Sequence, residues 1–490
     1  MKSTINEEYY KEEKENELQS WKKLDVYDEV ADEGQDYITV RWVFSEKEVG
    51  EKKVRKARLV ARGYQEGLET PTDSPTCNIE SQRVALSVIA SEGWDLHSLD
   101  VKAAFLQGKD IDRDLYLKPP REAKSPGKLW RLKRCVYGLN DASRFWYFRV
   151  TEELNRLGVK TSKLDSSLFI YYTDKLEGIL ISHVDDFLFA GTDNFHKTVI
   201  MRLKQTFRIS KEDASNFKYI GIELQQSSSG IYVSQEKYLE KLNEIEIPSN
   251  RCEEKDSPLN DDERSKLRAS IGQLNWLATR TRPDLSYDVC NLSTSLKTGT
   301  VELIMKTNKV IKKAKYNTVF LHFPKLDLEN IKVKCYADAS YGNLPDGGSQ
   351  GGVYVELVDA SKSAPIQWQS KRLKRTPKST LAAETIAMVE GMESAYLTSK
   401  MLSEILYNFT KPVPVEAITD CYSLFEAAHS TTSIEDRRLR IELSILREGI
   451  LKNEFKLTWI NTRDQLADSL TKSGSNPRKL IERITGKKVL

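Results

Sequence analysis

Alternation of apolar and polar positions opens the first strand signal at "YITVRWVF" (37–44), where Tyr37, Thr39, Arg41 and Val43 fall on one face and Ile38, Val40, Trp42 and Phe44 on the other. The next segment, "KVRKARLVAR" (53–62), keeps a strand-like pattern through Val54, Leu59 and Val60 while carrying five basic side chains and no acid. Helical spacing follows in "SQRVALSVIASEG" (81–93), then a strand in "LHSLDVKAAF" (96–105). A strand pair, "SSLFIYYTD" (166–174) and "GILISHVDDFLFAG" (178–191), is separated by a short turn. After helical segments near 266–315, "IKVKCYADAS" (331–340) begins a second run of strands. A Gly-rich turn (342–352), further strands, two helices, "VEAITD" (415–420) and "FKLTWI" (455–460) complete it. These patterns predict an α+β first part and a compact α/β last part.

Breakers and charge set the boundaries. Residues 1–36 hold 5 basic and 12 acidic side chains and read as an acidic helix or frayed tail, residues 37–250 as the first folded region. The polar stretch "SNRCEEKDSPLNDDERS" (249–265) reads as a linker leading into 251–330, residues 331–475 as the α/β domain, and 476–490 as a basic tail. At 490 residues the chain has room for about three domains. Because the first 36 residues are strongly acidic and the whole chain carries only +3, a phosphate-backbone partner must be met by local basic patches.

Hydrophobic residues at 39% exclude a disordered or collagen-like chain, and no apolar run reaches the ~18 residues of a membrane span. With no signal-peptide pattern at the N-terminus, a soluble intracellular protein is expected. The six cysteines (Cys77, Cys135, Cys252, Cys290, Cys335, Cys421) contain no C-x-x-C pair and the five histidines no ligand-spaced cluster, which argues against disulfide scaffolds and zinc fingers.

Chemistry concentrates on acids. Asp185 and Asp186 sit side by side where a hairpin turn is expected; alone, they read as a solvated Asp-Asp turn. Asp100, on its own strand, changes that reading, since three carboxylates can hold two divalent ions for an in-line phosphoryl displacement.

Taken in order, "KARLVARGYQEG" (56–67), Asp100, "YGLNDASRFWY" (137–147) and "HVDDFL" (183–188) resemble the reverse transcriptase of copia-type (Pseudoviridae-like) LTR retrotransposon Pol over roughly residues 15–250. The resemblance implies a right-hand polymerase with palm, fingers and thumb, in which Asp100 and Asp185 bind metal and Asp186 is the third acid. It places Lys56, Arg58 and Arg62 against the triphosphate of the incoming nucleotide, a role their charge density also suits. Phe105, five residues after Asp100, takes the place of an aromatic that crowds the sugar 2′ position; ordinary core is the other reading. Two residues depart from the family pattern: Asn140-Asp141 stand where "KQ" is usual, putting an acid in place of an amide near the nucleotide, and His183 replaces the usual tyrosine of "YVDD".

The last third holds Asp338 on a strand, Glu384 in the helical "STLAAETIAMVEG", Asp420 ending a strand and Asp468 in the helical "DQLADSLTK". Four acids in that order resemble the RNase H fold, which implies two Mg²⁺ ions activating water against the RNA of a hybrid. Two Mg²⁺ per site, with Mn²⁺ able to substitute, are therefore implied for both acid sets. The run Lys371, Arg372, Lys374 and Arg375, joined by Lys378, has no acid beside it in sequence and reads as contact with hybrid phosphates or as a nuclear localisation signal. Arg437, Arg438 and Arg440 read as a basic helix face or a nucleic-acid contact.

The expected protein is an RNA- and DNA-dependent DNA polymerase with RNase H activity. Its expected partners are RNA template, DNA, RNA-DNA hybrid, dNTPs and a tRNA primer, with a dimer or association with other Pol products, and its expected place is a cytoplasmic virus-like particle or the nucleus. The alternative is a domesticated or decayed copy that binds nucleic acid without catalysis.

Overall fold

The computed structural model describes residues 7–49, 52–67, 71–317 and 319–487. Its chain forms two compact units, one from residues 1–77 and 99–212, the other from residues 78–98 and 213–490.

In the first unit, four strands pair in the order Tyr27–Ala31, Lys128–Leu132, Tyr116–Leu117 and Tyr37–Ile38. Helix Lys11–Lys23 buries Leu18 and Trp21 in the same core, where Tyr27 and Trp130 stack at 4.1 Å. The N-terminal segment is therefore part of a packed layer rather than a tail, because Leu18, Trp21 and Leu24 recur at helical spacing beneath the acidic face. Strands Val40–Val49 and Lys52–Ala61 make a separate two-stranded hairpin.

A six-stranded sheet follows, in the order Ile209–Ala214, His97–Val101, Asp186–Gly191, Leu176–His183, Leu168–Tyr172 and Val159–Thr161. Its central strands read as continuous apolar runs because both faces are covered. On one face, Trp146, Val150 and Leu154 of helix Ala142–Arg156 pack with Leu99, Leu180, Phe187 and Phe189.

The second unit contains helix Ile79–Glu92, buried continuously from Ser81 to Ala90, and packed on strands Gly230–Ser234, Leu321–Pro324 and Ser363–Arg372 and on helix Thr380–Tyr407. Arg83, at its centre, donates to the carbonyls of Thr279, Arg280 and Ile366 and lies 3.7 Å from the Trp368 ring centroid. A five-stranded sheet runs Ser363–Arg372, Gln350–Val358, Lys332–Ser340, Val415–Thr419, Lys456–Trp459, antiparallel through the first three strands and parallel through the last three.

Three sequence boundaries shift. The segment 249–265 is structured: Asn260 and Glu263 form a capping box that starts helix Asp261–Arg280, and Arg251 bonds Glu263 at 2.9 Å. The compact units part at 212/213, not at that polar stretch, and residues 78–98 leave the first region to pack with the second unit. Residues 478–485 are a docked helix rather than a tail; it buries Leu480, Ile481 and Ile484, and Arg483 forms a two-pronged bond, 2.7 Å each, with the fully buried Glu356. Among the described residues, no helix is long and apolar enough to cross a membrane.

Candidate active sites

The first acidic set rests on a tight hairpin. His183 pairs with Asp186, so Val184 and Asp185 form the whole turn. Val184 takes φ 61°, a left-handed conformation that costs a β-branched residue about 1–3 kcal/mol. Its carbonyl accepts the Trp146 indole N–H at 2.7 Å, which anchors the strained turn to the core. Next door, Val101 N–H donates to the Asp185 carbonyl at 3.0 Å, fixing Asp100 beside the hairpin. The Ser210 hydroxyl donates to the Asp100 carboxylate. Burial, then Asp185, then Asp100 push the Asp186 carboxyl up to about 6, so the three acids act on one another electrostatically.

Around this set the hairpin and the "YGL" segment interlock. Ala61 N–H donates to the Tyr137 carbonyl at 2.7 Å and Gly63 N–H to the Gly138 carbonyl at 3.2 Å. Gly138 has φ +94°, and a Cβ there would come within 2.1 Å of the Ala61 carbonyl oxygen, so only glycine allows the approach. Arg58 lies 5.4 Å from the Tyr137 ring and Phe105 meets the same ring edge-on at 5.5 Å. Phe105 is half-buried and lies on a short 3-10 turn, Ala104–Gln107, just past the strand. Lys56 is exposed and Arg62 half-buried, and neither forms an ion pair among the described residues.

Asp141 corrects one expectation. Instead of replacing an amide that faces the nucleotide, it is buried at 2% exposure and paired with Arg113 at 2.9 Å, which also holds Glu66. Asn140 is the exposed member of the pair.

The second acidic set is built on the five-stranded sheet. Asp338 lies two residues before the end of its strand, buried at 2% exposure; Glu384 lies in the first turns of helix Thr380–Tyr407; Asp420 follows its strand directly. Asp468 starts a 3-10 turn, Asp468–Leu470, rather than lying within a regular helix. Gly352 makes room for that turn, since a Cβ would sit 2.7 Å from Thr471 Cγ2 and 3.0 Å from the Ala467 carbonyl oxygen. Burial, then Asp338 and Asp420, raise the Glu384 carboxyl well above the usual range. Burial also raises Asp338, opposed by Lys472 and Thr471.

Four neighbours of this set were not named as site residues from the sequence, although Gln465, Thr471 and Lys472 lie in the quoted segment around Asp468. The Thr471 hydroxyl donates to the Asp338 carboxylate, Gln465 donates to Asp420 Oδ1 at 3.4 Å, and Lys472 Nζ lies 2.5 Å from Asp468 Oδ1. The Trp459 indole N–H donates to the Asp420 carbonyl at 3.0 Å. Thr471 and Lys472 are near Asp468 in sequence, and the folded topology brings them to Asp338 as well.

Residues fit for divalent cations can be tested at each set. Glu384 Oε2 is buried without a hydrogen-bond partner, as a metal-ligating oxygen would be, and it feels both Asp338 and Asp420. At the hairpin, mutual repulsion of three partly buried acids marks the same need for positive charge. Among the described residues, no three acidic, histidine or cysteine side chains are arranged as they stand to hold a metal ion.

The basic run differs from the sequence reading. Lys371 pairs with Glu390 at 2.8 Å, Arg372 with Asp346 and Arg375 with Glu442, all acids distant in sequence. Of the four, only Lys374 is exposed and without an ion pair among the described residues.

Strand order, the acid-bearing hairpin and the α/β unit define an α+β fold of the right-hand polymerase type. Residues 24–258 match the family described as reverse transcriptase (RNA-dependent DNA polymerase). Over almost its full length the chain is similar to copia-type retrotransposon Pol polyproteins. It is 29% identical to the Pol polyprotein from transposon RE1 of Arabidopsis thaliana, covering 89% of this chain and 30% of that protein. Identity is 26% with the transposon TNT 1-94 Pol polyprotein of Nicotiana tabacum (94% and 36%) and 24% with the truncated Ty1-A Gag-Pol polyprotein of Saccharomyces cerevisiae (96% and 41%). The chain thus spans about a third of the length of these curated relatives. A foamy viral protease-reverse transcriptase, solved in complex with double-stranded DNA, shares the fold at TM-score 0.55 and 12% identity, covering 91% of this chain and 69% of that one.

Proposed function

We propose that this chain is the RNA- and DNA-dependent DNA polymerase of a copia-type retrotransposon and that it also cleaves the RNA strand of RNA-DNA hybrids. The observation that carries the reading is one set of mutually interacting acids in each compact unit, Asp100, Asp185 and Asp186 in the first and Asp338, Glu384, Asp420 and Asp468 in the second.

In the first unit, Asp100, Asp185 and Asp186 would hold Mg²⁺, and the strained Val184 turn fixes the backbone that carries Asp185 and Asp186 beside the strand of Asp100. Bound Mg²⁺ would stabilise the charge that develops on attacking and leaving oxygens during phosphoryl transfer. Lys56, Arg58 and Arg62 supply positive charge for a triphosphate. Phe105, backed by Tyr137, offers a rigid aromatic edge that a ribose 2′-hydroxyl would strike. In the second unit, Asp338, Glu384, Asp420 and Asp468 would hold the cations, with Thr471 and Gln465 orienting Asp338 and Asp420. RNA template, primer, dNTPs and hybrid are the substrates of this reading.

Primer extension on an RNA template and cleavage of a labelled hybrid, each with Mg²⁺ and with EDTA, test it. Asp185→Asn should abolish extension and spare cleavage; Asp338→Asn should do the reverse. Loss of both activities in either variant would overturn the division of labour, and a wild-type chain that binds hybrid while showing neither activity would establish a non-catalytic role.

A further inference from the structure

Lys472 sits among the acids of the second unit. Its ammonium lies 2.5 Å from Asp468 Oδ1 and 3.7 Å from Asp338 Oδ2, two oxygens supplied by elements more than a hundred residues apart. Asp338 has one further partner, the Thr471 hydroxyl, whereas Glu384 Oε2 has none. The Lys472 ammonium therefore already occupies the Asp338–Asp468 side of the cluster. Glu384, which takes a backbone hydrogen bond from Ala339, keeps one buried oxygen without a hydrogen-bond partner.

A divalent ion held by these four acids draws on the same Asp468 and Asp338 carboxylates, and hard cations take oxygen ligands at short range beside which an ammonium is repelled. Lys472 is long, flexible and 39% exposed, so its head can leave along its own stem without disturbing the backbone.

We propose that Lys472 is the resident counter-cation of this carboxylate set, a positioning residue that holds Asp468 and Asp338 in place and is displaced by the divalent ion that takes the same oxygens. The proposal rests on the nuclease reading of the second unit. Its direct consequence is competition: the side chain that steadies the metal-free site also opposes metal binding.

Mn²⁺ binding to the full chain, followed by electron paramagnetic resonance of the free ion, tests this in an Asp185→Asn/Asp186→Asn background that silences the other acid set. Lys472→Met, which keeps the stem and removes the charge, should bind Mn²⁺ about three- to tenfold more tightly, the scale of one partly exposed ion pair. In EDTA the same variant should unfold at a lower temperature than its parent, and Mg²⁺ should close that gap. Lys472→Arg should restore both parental values. Unchanged or weaker Mn²⁺ binding in Lys472→Met, or a stability loss that Mg²⁺ leaves in place, would overturn the proposal. Equal Mn²⁺ binding by the parent and by Asp338→Asn would instead overturn the nuclease reading beneath it.

Discussion

Replacing Asp186 by Asn should stabilise the metal-free protein above pH 6 and do little near pH 4. Burial, Asp185 and Asp100 move the Asp186 carboxyl from 3.8 to about 6 in the folded chain. A carboxyl that holds its proton more tightly when folded contributes stability that is fully present below 3.8 and lost as pH rises through 6. The shift of about two units corresponds to roughly 3 kcal/mol at 1.36 kcal/mol per unit. Because the group is partly open to solvent, screening reduces this to about 1–2 kcal/mol. Asn keeps the shape and removes the charge, so the unfolding transition in EDTA should rise by roughly 2–8 °C at pH 7.5, and the gain should shrink steadily as pH falls toward 4. Thermal denaturation at a series of pH values reads this directly. Added Mg²⁺ should stabilise wild type more than the variant. A variant that is neutral or less stable at pH 7.5 would refute the view that these three acids repel one another across a shared site.

Phe105→Ala should raise ribonucleotide incorporation relative to deoxynucleotide in primer extension; an unchanged preference would return Phe105 to the core it already touches through Tyr137. Arg83→Met strips three carbonyls of their donor and removes a cation from the Trp368 face, and should lower the stability of the second unit by about 2–4 kcal/mol in thermal melts; no change would mean those carbonyls find other donors. Lys374→Ala should flatten the slope of log hybrid affinity against log salt by roughly 0.7–0.9, whereas Arg375→Ala should change it less because Arg375 already serves Glu442. Equal slopes for both variants would show that the run merely solvates the surface.

What the sequence made legible follows from how far apart the interacting residues lie. Period-2 alternation exposed the strands around 37–44 and 96–101, and apolar runs on each side of Asp185-Asp186 exposed the hairpin, although only Asp185 lies in its turn and Asp186 opens the next strand. The order of acids on strand, helix and strand in the last third came from the same local patterns, and the structure brings those acids within electrostatic reach of one another. Composition misled where a polar exterior hid a packed side. Leu18 and Trp21 lie under an acidic helix face, and Leu480, Ile481 and Ile484 under a basic one. The polar stretch at 249–265 contains Asn260-x-x-Glu263, a capping signal that its charge density concealed.

Pairs remote in sequence leave no local trace at all, and they decide the electrostatics. The basic run 371–375 looks unopposed because Glu390, Asp346 and Glu442 come from other elements. Asp141 looks like a nucleotide-facing acid because Arg113 lies 28 residues upstream. In both places a charge that seems available along the chain is already neutralised in space, so its capacity to bind phosphate or metal is smaller than its sequence suggests. Lys472 shows the converse. It lies four residues after Asp468, and the 3-10 turn at Asp468–Leu470 aims it at two acids of the cluster. Charge in this chain is therefore set by topology: the same fold that gathers the carboxylates of the second unit also brings the Lys472 ammonium against two of them.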